Sequence, residues 1–138
     1  MSSDIGDELL DAGIQNAIRL LSKYSEFHPF GVAVDTSGEL RIVMAHEGAE
    51  RPAADDAMRA TVRSLRIGVE EGTYIATAVA SDIRLTDTET GVETDAIRVD
   101  IEVGKAVSTT CYLPYALDSQ VVVPGELIAV EGQRQVFI

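Results

Sequence analysis

Apolar residues near the start of the chain recur at helical spacing, with Ile5, Leu9, Ile14, Ala17, Ile18, Leu21 and Tyr24 forming one stripe. Asp4 or Ser3 is placed to cap this first helix, and Asp7, Glu8 and Asp11 lie near its positive end. Pro29 is expected to end it, because the residue before a proline is pushed out of the α region. The period then drops to two. Phe30, Val32 and Val34 alternate, as do Leu40, Ile42 and Met44, and Asp35-Thr36-Ser37-Gly38 between them has turn chemistry, so a hairpin is expected. A polar loop over 47–51 and Pro52 lead into a second helix. Its inner face carries Ala54, Met58, Thr61, Val62, Leu65 and Val69, and Gly72 closes it.

From Thr73 to Leu85, Tyr74, Ala76, Ala78 and Ala80 alternate with Ile75, Thr77, Val79 and Ser81. Both sets are mostly apolar or small, which predicts a central strand whose alanine row lets a helix sit close. The run from Thr86 to Asp95 reads as a long acidic turn. Ile97, Val99, Ile101 and Val103, with Arg98, Asp100 and Glu102 between them, predict a half-buried strand with one face in water. Gly104-Lys105 turns into Val107, Thr109, Cys111 and Leu113, and Pro114 is expected to stop that strand or place it at an edge. Short strands are expected at 121–123, 127–130 and 136–138. The pattern therefore predicts a single α+β domain over residues 1–138. Its mainly antiparallel, meandering sheet has five to seven strands and two helices on one face, in α-β-β-α-β-β-β order.

A hydrophobic content of 46% argues against disorder. Cys111 is the only cysteine, so no intramolecular disulfide can form, which points to a reducing compartment. The start of the chain lacks the basic and apolar regions of a signal peptide, and no stretch approaches the roughly 18 apolar residues of a membrane span. A cytoplasmic protein is expected. The net charge of -12 opposes binding to nucleic acid or to an anionic membrane. Arginine-, alanine- and valine-rich usage, with Lys23 and Lys105 as the only lysines, is similar to that of GC-rich bacterial genomes.

Three patches resemble a widespread bacterial family of uncharacterised small proteins: Phe27-His28-Pro29-Phe30-Gly31 with Asp35 and Gly38, Thr94-Asp95-Ala96-Ile97-Arg98, and Leu113-Pro114-Tyr115. That resemblance implies a fold and assigns no activity. The order of elements over about 4–113 also resembles roadblock-like and profilin-like α+β domains, although the C-terminal helix of roadblock proteins has no counterpart here.

Candidate chemistry is sparse. Cys111, mid-strand among Val107, Thr109 and Leu113, reads as a buried thiol, since no sequence feature brings a base to it. His28 and His46 with Glu47, Asp35 or Cys111 could assemble a metal site, but their spacing matches no ligand pattern, and both histidines read as structural. The alternating oxygens of Asp87, Glu89, Glu93 and Asp95 lack the calcium-loop order and read as a solvated hairpin tip. No cofactor is expected.

Surfaces for a partner are easier to nominate. Arg59, Arg63 and Arg66 form a row on the second helix that could dock carboxylates or a phosphate, against a helix-stabilising role through Asp55–Arg59 and Arg66–Glu70 pairs. Tyr112 and Tyr115 bracket Leu113-Pro114 as interface anchors or core caps. Arg98 is expected to meet an acidic residue of a second copy. The favoured expectation is a non-enzymatic interaction or regulatory module, of immunity-protein type and forming a homodimer. The alternative is a small-ligand binder or enzyme with a pocket between helix and sheet, near Phe27–Phe30 and Tyr112–Tyr115.

Overall fold

Asp4 accepts the Gly6 amide at 2.8 Å and so caps α1 (Ile5–Tyr24), whose first turn carries Asp7 and Glu8. The helix stops at Ser25, which takes a left-handed conformation (φ 66°) while its N–H donates to the Leu21 carbonyl at 2.8 Å. Termination therefore precedes Pro29 and does not depend on it. The computed structural model describes residues 4–44 and 54–138. The expectations for Ser3, His46, Glu47, the 47–51 loop and Pro52 lie outside the described residues.

After α1 come β1 (Phe30–Asp35), β2 (Leu40–Val43), α2 (Ala54–Glu70), β3 (Tyr74–Thr86), β4 (Glu93–Val103), β5 (Val107–Asp118), β6 (Val121–Pro124) and β7 (Ile128–Glu131). They build a seven-stranded antiparallel sheet in the order β2-β1-β3-β4-β5-β6, with β7 also paired to β5. The protein is thus an α+β meander. Among the described residues, no helix is long and apolar enough to cross a membrane.

The alanine row of β3 lies under α1. Ala76, Ala78 and Ala80 are fully buried in one cluster with Leu9, Ala17 and Leu21 of the helix and with Val32, Val34, Val99 and Ile101 of neighbouring strands. The two helices lie on opposite faces of the sheet and not on the one face that the sequence pattern predicts. Ala33 and Val79 point the other way and bury against Leu65, Met58 and Val62 of α2. The cause is that β1 and β3 are apolar or small on both sides, so each side needs its own cover. At Gly68 an added Cβ would stand 2.2 Å from the Tyr74 ring, so this glycine in the last turn of the helix lets the ring lie against α2.

Two further expectations change near the end of the chain. Pro114 does not stop β5, which continues to Asp118. It stands at the last position paired with β4 (Ala96↔Pro114), and from Tyr115 the strand pairs with β6 instead. Residues 136–138 form no strand. Val136 and Phe137 are buried in the α2-side cluster, carried there by a return segment that follows β7.

Candidate functional site

α2 packs over β1, β2 and β3, leaving the same side of β4 and β5 to a polar surface. By strand alternation Arg98, Asp100 and Glu102 of β4 share this side with Ser108, Thr110 and Tyr112 of β5. Asp100, only 8% exposed, accepts from Arg98 Nε at 3.0 Å, from Arg98 Nη2 at 3.2 Å and from the Thr110 hydroxyl at 2.7 Å. The Arg98 guanidinium also lies 5.8 Å from the centre of the Tyr112 ring, within cation–π reach. Arg98 is thus held from two sides.

Glu102, next along the strand face, is 1% exposed. Its Oε1 accepts the amides of Gln135, Val136 and Phe137 at 3.1, 3.2 and 3.1 Å, and Oε2 shares the Val136 amide at 3.1 Å. Arg66 Nε donates to the Gln135 carbonyl at 2.5 Å. A buried carboxylate satisfied by consecutive amides therefore clamps the return segment onto the sheet. Gly132 allows the approach. An added Cβ there would meet Ser108 Oγ at 2.9 Å and Thr110 Oγ1 at 3.0 Å.

Between the clamped segment and the sheet runs a groove of about 300 Å³ lined by Arg98, Asp100, Tyr112, Gln133, Arg134 and their neighbours. A second cavity of about 360 Å³ shares Glu131, Gly132 and Arg134 with it and adds Lys105 and Ser108. Two residues nominated from sequence, Arg98 and Tyr112, meet here. Arg134 and the Glu102 clamp were not anticipated.

The arginine row divides. Arg59 pairs with Asp56 and not with Asp55, Arg66 serves the return segment and not Glu70, and Arg63 is exposed with no ion pair among the described residues. Tyr115 leaves Tyr112 for the opposite face, as an odd spacing requires, and buries with Phe27 and Phe30 in the α1-side core. Phe27, Phe30 and Tyr115 of the expected pocket region are thus core residues. A helix–sheet cavity of about 340 Å³ lies at the other end of α1, lined by Asp7, Leu10, Ile101, Cys111 and Leu127 among others. β4 is an interior strand, and its Arg98 is paired with Asp100 of its own chain.

Tyr115 donates its hydroxyl to Asp82 at 2.7 Å. Burial raises the Asp82 carboxyl above its ordinary value, and the charges of Asp95 and Glu26 add to the rise, against the hydrogen bonds from Tyr115 and the Phe27 amide. Asp82 continues the alanine row of β3 into that face, a polar interruption visible in the sequence. Cys111 is buried, and burial together with the charges of Asp100 and Asp7 pushes its thiol up. His28 keeps a buried Nε2 with no hydrogen-bond partner among the described residues. In the acidic turn, Asp87 accepts the Glu89 and Thr90 amides while Glu93 and Asp95 pair with Arg84, so these oxygens are committed within the hairpin. No cluster of three potential metal ligands occurs among the described residues.

The far end of the sheet is apolar. Val121, Val123, Leu127, Ile128 and Val130, on or between β6 and β7, are between 44% and 61% exposed. No family model, curated protein or solved structure matches the chain.

Proposed function

We propose that this domain is a non-enzymatic interaction module that pairs with a second copy of itself along the β6–β7 edge. The observation that carries the reading is the group of exposed valines and leucine-type side chains gathered on these two strands, which end the sheet. An exposed apolar edge is a template for another strand, and a two-fold axis brings the same edge of two copies together. A regulatory role by contact is supported by the state of the reactive groups: the Cys111 thiol is buried and pushed up, and Asp82 is engaged by Tyr115. Two chains at -12 repel at long range, so association strengthens when salt screens them.

Sedimentation equilibrium of the wild type and of Val123→Lys, at low salt and at roughly 0.15 M, tests this. A wild-type dimer that tightens with salt, and a monomeric Val123→Lys of unchanged fold, are expected. A wild type that stays monomeric at both salts overturns the reading.

A further inference from the structure

We propose that the groove between the return segment and β4–β5 binds a small anion through carboxylate or phosphate oxygens. The argument rests on which polar atoms remain unused there. Both acidic groups beneath the groove spend their oxygens inside the chain: Asp100 on Arg98 and Thr110, Glu102 on three successive amides. The donors are left over. Nη1 of Arg98, the whole of Arg134 and the ammonium of Lys105 make no hydrogen bond or ion pair among the described residues, and all three residues line the paired cavities. Glu131 is the one exposed carboxylate on these walls.

A ligand that supplies acceptors completes such a surface, whereas one that supplies donors meets competing donors. Arg98 is suited to this task because Asp100 and the Tyr112 ring already fix its guanidinium, so little side-chain freedom is lost on binding. Arg134 enters from the opposite wall on a segment whose backbone Glu102 and Arg66 hold in place. The volume of about 300 Å³ suits a small molecule. All the donors come from one chain, so the site stands whether or not copies pair.

The test is a titration of the full chain, followed by amide chemical shifts, with inorganic phosphate in one arm and succinate in the other. Sodium chloride holds the ionic strength constant. Saturable shifts around Thr110 and Gly132 below about 10 mM in at least one arm are expected, and the tighter arm identifies the anion class. Arg134→Gln, an exposed change that leaves the clamp intact, should weaken binding about tenfold. Arg19→Gln, on α1 away from the groove, removes the same charge and should leave binding unchanged. No saturation in either arm, or equal weakening by Arg134→Gln and Arg19→Gln, overturns the proposal.

Discussion

Replacing Glu102 with glutamine keeps the volume of the side chain but removes its charge, and that isolates what the clamp contributes. Oε1 takes three of the contacts, so a glutamine carbonyl can occupy that place while its NH₂ faces the Val136 amide, donor against donor. A hydrogen bond to a charged acceptor is worth about 1.5–3 kcal/mol and a neutral one about 0.5–1.5, so three bonds, each weakened by about 1–1.5, cost about 3–4.5 kcal/mol together. The cost has a ceiling, because the segment can leave. Undocking forfeits the burial of Val136 and Phe137, at roughly 1.5–3 kcal/mol per side chain, less the chain entropy regained. Hydrogen exchange reads this directly. Amides of 135–137 in Glu102→Gln should exchange about 150- to 2,000-fold faster, while β3 amides in the sheet centre change much less. Unaltered protection at 135–137 would refute the clamp.

Ala78→Leu should destabilise by about 1–3 kcal/mol in urea, because α1 already closes over a fully buried alanine; an unchanged midpoint would contradict that packing. Cys111 should label with a thiol reagent only after denaturant is added, and fast labelling of the native protein would show that its thiol is accessible and ionised. Asp82 has a folded-state pKa above its ordinary value of 3.8, so the folded chain binds the proton more tightly and stability falls as pH rises from about 4 towards neutrality. Asp82→Asn keeps an acceptor for Tyr115 and should gain urea resistance over the wild type at pH 7 compared with pH 4; an equal difference at both would exclude this linkage.

Most of the elements were legible because each follows from local periodicity. The hairpin around Asp35, the alanine row and β4 stand where alternation placed them, but the β4 face expected in water buries Asp100 and Glu102. The sides of the sheet were legible as well, in Gly31 and Ala33 between Phe30, Val32 and Val34, since a strand with two apolar faces requires two covers. Taking both helices to one face ignored that requirement. The separation of Tyr112 from Tyr115 likewise follows from parity alone. The groove was only half visible. Arg98 and Tyr112 stand on a recognisable polar face, but Arg134 reaches them through a segment held by Glu102, across a sequence separation of 33 residues and more, and no local pattern encodes such a contact.

The return segment also sets an order in which the two layers can close. Every buried member of the α1-side cluster lies at or before Tyr115, so that half of the molecule can close before the return segment docks. The α2-side cluster waits for Val136 and Phe137, and Glu102 waits for the amides that neutralise its burial. A chain whose return segment is undocked carries one finished layer and one open layer, with Leu65 and Val79 missing the cover of Val136 and Phe137 and the Glu102 carboxylate still in water. Partial unfolding that starts at the return segment can therefore leave the α1-side layer closed.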